Sequence, residues 1–206
     1  MKVLIVAATQ FEIEPFLQRN ATTDFLITGI GIPATIFHLT NKLLEKNYDL
    51  VINAGIAGSF NDKISLAEVV FVKEDTFGDI GILENGNFNT LFESGFGNAN
   101  DFPFTNGGLI NNNADAAKLN LPFAKAITVN RITDNVLELN NMQQKFSADI
   151  ESMEGAAFHY VCLQKKISFL QIRAISNRVG ERNKDNWEMK LAIRNLNNEL
   201  LKLINE

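Results

Sequence analysis

Two acids, an amide and a glycine turn stand far apart in this chain of 206 residues, each where a short apolar run ends or a helix pattern begins. Glu12 lies in Thr9-Gln-Phe-Glu-Ile13, just past the run that ends at Ala8. Met153 and Glu154 sit inside Glu151-Ser-Met-Glu-Gly-Ala-Ala157. Ser176-Asn177 follows Ser168-Phe-Leu-Gln-Ile-Arg-Ala-Ile175, and Asn53-Ala-Gly-Ile-Ala-Gly58 forms a turn after another apolar run. A carboxylate such as Glu12 can polarise a bound water, although an acid in a first helical turn is also favoured by the helix dipole alone. Glu154 can accept two hydrogen bonds at once, which suits the paired hydroxyls of a ribose, and Glu151 places a second acid three residues earlier. Small residues Gly155, Ala156 and Ala157 after it leave room for a ligand, or for a tight helix-sheet contact.

The amide of Asn177 offers a donor and an acceptor side by side. It can meet O6 of a purine with its NH₂ and face N7 with its oxygen, which favours a 6-oxopurine such as hypoxanthine, whereas an aspartate there would carry a proton. Asparagine is equally at home in a turn before Gly180. Backbone N–H groups of the turn holding Gly55, Ile56 and Gly58 can cradle an anion. Ile56 puts hydrocarbon where a hydroxyl would bind phosphate, and no arginine occurs between Arg19 and Arg131, so water is the expected nucleophile unless a partner subunit supplies the cation.

Positioning these groups requires a sheet. Runs at 3–8, 25–28, 50–54, 69–72, 124–129 and 169–175 are short, rich in branched residues and apolar on both faces, as strands covered on both sides are. Helical patterns lie between them: Pro33 to Lys46 opens with proline, and Met153 to Lys165 begins acidic and ends in lysine. The last pattern carries Met189, Ala192, Ile193, Leu196, Leu200, Leu203 and Ile204 on one stripe, with Lys190, Arg194, Asn197 and Glu199 off it and no chemistry assigned. The expected fold is α/β, a three-layer α/β/α sandwich with a central mixed sheet, in one domain over 1–206. In open α/β sheets ligands bind at the carboxyl ends of the strands, where these residues fall.

Composition narrows the classes. A net charge of −5, with pI near 5.2 and no basic run, excludes a phosphate-tracking surface, so no nucleic acid is expected as a partner. Cys162 stands alone and His38 and His159 are few, so neither a disulfide nor a thiolate zinc site is expected, which fits a cytoplasmic protein. No apolar stretch reaches membrane-spanning length, and the run at Val3 to Ala8 reads as a buried strand.

Two features compete. Gly29-Ile-Gly-Ile-Pro-Ala34 fits a dinucleotide fingerprint with Asp49 about 20 residues on, yet Asp49 precedes its strand instead of ending it. Glu84 to Asn113 is rich in asparagine and glycine and carries Phe88, Phe92, Phe96, Phe102 and Phe104, as an anchored excursion, a subunit interface or a pocket wall would.

With these residues in this order, the chain resembles the nucleoside phosphorylase and nucleosidase superfamily over nearly its whole length. It is similar to the methylthioadenosine/S-adenosylhomocysteine nucleosidase branch, and more so to futalosine hydrolases through Ala148-Asp-Ile-Glu-Ser-Met-Glu-Gly-Ala-Ala-Phe-His-Tyr160 and Ser176-Asn-Arg-Val-Gly-Glu-Arg182. The resemblance implies a nucleoside phosphorylase-like fold, a water activated by Glu12, ribose hydroxyls on Glu154, Met153 packed on the sugar and the base at Asn177. It further implies Gly55, Ile56, Gly58, Ser176 and Arg178 near the substrate, no metal or cofactor, and a homo-oligomer. The adenine-specific branch carries aspartate where Asn177 stands, so the implied substrate is futalosine, on a bacterial route to menaquinone. Arg131, Arg178 and Arg182 are candidates for its carboxylate, and Arg173, inside a strand, is expected to be structural.

Overall fold

Alternation along the first strand sets the layers. Leu4 and Val6 face one way, Ile5 and Ala7 the other, and all four are fully buried, so the sheet must be covered on both faces. The computed structural model describes residues 1–113 and 119–205. Its elements run β1 (Val3–Ala7), α1 (Gln10–Leu17), β2 (Asp24–Ile27), α2 (Ile32–Glu45), β3 (Leu50–Ser59), β4 (Val69–Phe77), β5 (Gly81–Glu84), β6 (Asn87–Thr90), β7 (Leu109–Ile110) and β8 (Phe123–Thr128). They continue with α3 (Val136–Phe146), β9 (Ile150–Ser152), α4 (Gly155–Lys165), β10 (Phe169–Arg178) and α5 (Met189–Asn205).

Ile5, Ala7 and Ile52 pack with Ile13 and Phe16 of α1 and Ala192, Leu196 and Leu200 of α5. On the opposite face Leu4, Val6 and Val51 meet Leu39 and Leu43 of α2 and Phe158, Val161 and Cys162 of α4. The three-layer α/β/α arrangement with a mixed sheet is therefore the architecture observed. Strands β2, β1, β3 and β10 pair in parallel in that order. β4 lies antiparallel to β10 and parallel to β8, and β9 is parallel to β8 and antiparallel to β3. The pairing path β3–β10–β4–β8–β9 thus returns to β3 and rolls this half of the sheet into a closed ring.

Each strand expected from the sequence is present. The hairpin β5–β6, the short strands β7 and β9 and the helix α3 add to them. Positive φ at Asn85 (52°) and Gly86 (80°) turns the hairpin, the two-residue Asn-Gly connection that such hairpins favour.

Candidate active site

Glu12 occupies the third position of α1 and folds back on the residue that starts the helix. Its Oε2 accepts the Thr9 backbone N–H and hydroxyl, both at 2.9 Å, and its Oε1 accepts the Ile56 N–H at 3.1 Å. The bond from the Thr9 N–H is the carboxylate half of a capping box; the bond from Ile56 crosses to β3 and aims the carboxylate. A Cβ on Gly55 would lie 2.8 Å from Glu12 Oε1 and 2.7 Å from Arg173 Nη1, so only glycine leaves space for both. Gly55 backs the acid from behind and is not among the residues lining the cavity.

Asn197 is the residue the helical stripe concealed. It is buried, and its amide enters α1: Nδ2 donates to the Glu12 carbonyl at 2.8 Å while Oδ1 accepts the Phe16 N–H at 2.8 Å. Those two backbone groups are the pair one helical turn would join, in a helix whose ladder Pro15 already interrupts. The side chain of α5 therefore holds the turn that carries Glu12. An asparagine in a mostly apolar last helix was the available signal.

Glu154 is the N-cap of α4, but its carboxylate reaches away to accept the Gly31 N–H, at the start of α2, at 3.0 Å. It thus serves two helix N-termini, where negative charge is favoured. Burial raises its pKa most, the Arg173 charge and the Gly31 bond pull it down, and nearby Glu12 raises it. Asn130 Oδ1 accepts the next amide, Ile32 N–H, at 3.2 Å. The Gly31 and Ile32 N–H groups of the dinucleotide-like turn are therefore already committed to side chains and that of Gly29 to the Ala8 carbonyl, against that rival.

The small residues behind Glu154 serve a core contact instead of a ligand. A Cβ on Gly155 would stand 2.1 Å from Asp75 Oδ2 and 2.3 Å from Gln171 Nε2. Asp75 accepts Gln171 Nε2 at 3.0 Å and the Thr128 hydroxyl at 2.8 Å, and Thr128 Oγ1 accepts the Ala156 N–H at 2.7 Å. Burial lifts the Asp75 carboxyl to a pKa of about 6. This network clamps the start of α4 to the sheet. Arg173 is buried too, donating to Asn53 Oδ1, with its charge behind both site acids.

At the other end, Asn177 of β10, Gly58 of β3 and Glu151 of β9 form one row across three paired strands. A Cβ on Gly58 would lie 3.0 Å from Val179 Cγ2 and 3.4 Å from Asn177 Nδ2, so glycine lets these side chains close over the middle of the row. Ser176 Oγ lies 2.7 Å from Asn177 Oδ1, and Asn177 Nδ2 donates to the Arg178 carbonyl at 2.8 Å. Each amide atom keeps one further hydrogen-bonding position.

One cavity of about 220 Å³ gathers Glu12, Ile56, Gly58, Glu151, Met153, Glu154, Ser176 and Asn177, with Phe11, Ile132 and Trp187 as apolar wall and Arg182 at its rim. Arg178 is not among its lining residues: its Nη1 donates to the Asn61 carbonyl at 2.8 Å, which fastens the turn after β3. Arg131 pairs with Glu138.

The chain matches the model of the family described as the phosphorylase superfamily over residues 25–205. It is similar to a futalosine hydrolase of Thermus thermophilus, 29% identical over 187 residues that cover 88% of this chain and 81% of the relative. It is also similar to a 5'-methylthioadenosine/S-adenosylhomocysteine nucleosidase of Tolumonas auensis, 24% identical over 201 residues, 94% of this chain and 84% of the relative. Its fold is shared with the futalosine hydrolase of Helicobacter pylori, at TM-score 0.79 and 15% identity over 100% of this chain and 97% of that one. The adenine-bound nucleosidase of Colwellia psychrerythraea superposes at TM-score 0.81 and 20% identity, over 100% and 95%. With the family model spanning most of the sequence and this architecture beneath it, the protein belongs to the phosphorylase superfamily.

Proposed function

We propose that this protein is a nucleosidase that hydrolyses the N-glycosidic bond of a 6-oxopurine nucleoside, with futalosine cleaved to dehypoxanthine futalosine and hypoxanthine for menaquinone synthesis. The observation that carries the reading is the meeting of Glu12, Glu154 and Asn177 in one cavity from positions far apart in the chain. Similarity to futalosine hydrolases and to methylthioadenosine/S-adenosylhomocysteine nucleosidases supports N-glycosyl hydrolysis in general. The choice of futalosine rests on Asn177 and on the first group of relatives.

In this reading Glu154 accepts the ribose hydroxyls, Met153 packs on the sugar and Glu12 takes a proton from water as it attacks C1′. Positive charge grows on the sugar and negative charge on the base as the C1′–N9 bond lengthens, and groups placed for that charge lower the barrier. Water is favoured over phosphate as nucleophile because the Ile56 N–H, which would otherwise face an anion, is donated to Glu12.

The test is to incubate pure protein without phosphate with futalosine, inosine or methylthioadenosine and to separate the free base by chromatography. Hypoxanthine released from futalosine is the expected result. A requirement for phosphate would make the protein a phosphorylase, and adenine from methylthioadenosine as the main product would overturn the choice of base.

A further inference from the structure

Glu151 lines the same cavity without a part in the reaction so far. It is 6% exposed, its Oε2 is buried with no hydrogen-bond partner among the described residues, and it lines the cavity together with Asn177, two strands away in the row through Gly58. A buried acid with an unmade bond costs stability unless a ligand completes it. The leaving base also lacks a proton source. Asn177 cannot transfer one, and Glu12 must be ionised to accept one from water.

We infer that Glu151 is the general acid of the reaction, delivering its proton to a ring nitrogen of the departing 6-oxopurine while Asn177 holds the opposite side of the base. This rests on the nucleosidase reading of the cavity and assigns its second proton-transfer group. The C1′–N9 electron pair leaves with the base, which takes the Glu151 proton. Water adds its oxygen to C1′ and yields a proton to Glu12. Return of that proton to Glu151 through solvent resets the site, so the sum is nucleoside plus water giving sugar and neutral base.

The charges around Glu151 keep it protonated long enough for this task. Burial raises its pKa most, Asp79 after β4 and Glu138 of α3 raise it further, and Arg182 beyond β10 opposes them, leaving it at about 7. Glu12, Glu154 and Glu181 are the other acids lining the cavity. Two carboxyl groups in one site with environments that part their roles are the mark of an acid and base pair. Glu151 is charged above its pKa, so the active protonated form is lost as pH rises through about 7.

The experiment compares the protein and its Glu151→Gln variant on inosine or futalosine and on p-nitrophenyl β-D-ribofuranoside, whose leaving group needs no proton, across the pH range around neutrality. The variant should lose on the order of 10²-fold in kcat/KM on the nucleoside and less than about threefold on the nitrophenyl riboside. The fall in nucleoside rate above about pH 7 should vanish in the variant and be absent with the activated substrate. Glu151→Asp, still able to carry a proton, should recover part of the nucleoside rate. Equal losses on both substrates, or a retained fall with pH in Glu151→Gln, would overturn the assignment. If the unsubstituted protein cleaves neither nucleoside, the nucleosidase reading fails and takes this inference with it.

Discussion

At the carboxyl ends of β1, β3 and β10, the acids are held by backbone N–H groups from other elements: Glu12 by Ile56, Glu154 by Gly31. Beneath the excursion from β5 to β7 lies a second hollow of about 410 Å³, lined by Phe77, Phe92, Phe104 and Phe146, and there the charges neutralise one another. Lys125 pairs with Glu74 at 2.9 Å and Lys145 with Glu93 at 2.7 Å. Phe92 meets Phe104 edge to face at 5.1 Å, and Phe88 packs near Phe146. Both regions are concave and both contain carboxylates. The difference lies in what completes them: amides leave a carboxylate its net charge, whereas a lysine offsets it. The larger of the two hollows is not the one that gathers Glu12, Glu154 and Asn177.

The contrast is broken most directly at Glu12. Glu12→Gln keeps a residue that can serve the capping box, so folding should persist while kcat falls on the order of 10²-fold or more. Near-normal turnover with an unchanged melting curve would remove Glu12 from the reaction. Next in size, Gly155→Ala forces a methyl against Asp75 and Gln171 and should cost about 1–3 kcal/mol, read by urea unfolding. An unchanged midpoint would mean that the clamp on α4 is slack.

Asn197→Ala sharpens the comparison, because it touches no substrate. Freed of the inserted amide, Glu12 should shift, and kcat should drop roughly tenfold with KM held, as small displacements at a reacting centre do. A loss of stability with kcat intact would leave Asn197 merely structural. The smallest effects belong to the other hollow: Lys145→Ala should cost less than about 1 kcal/mol and leave turnover untouched, since partly exposed ion pairs contribute little. A rate loss there comparable with that of Glu12→Gln would erase the distinction between the two regions.

The strands and their order of chemistry were legible because branched apolar runs and helix starts are local signals. Glu12, Glu154 and Asn177, which the structure brings into one cavity, stand out for the same reason. Each marks the boundary of an element. What stayed hidden was set by partners distant in sequence. β9 is three residues long and acquires strand character from β8 and β3 on either side. α3 leaves Val136 and Leu137 exposed, so its apolar residues form no clean stripe. Asn85-Gly86 lies in the stretch rich in asparagine and glycine, where the strongest short hairpin signal is lost among its neighbours. Arg178 ends the site strand yet turns to Asn61, an outcome decided by side-chain direction and invisible to spacing.

The splice made by Asn197 ties the second structural element of the chain to the last. Until the final helix docks, the turn bearing Glu12 lacks the crosslink that Asn197 supplies, however complete the sheet has become. If Glu12 serves the reaction as proposed, turnover requires that both ends of the polypeptide have come together. Partly assembled molecules, with strands paired and the last helix loose, would be silent toward nucleosides.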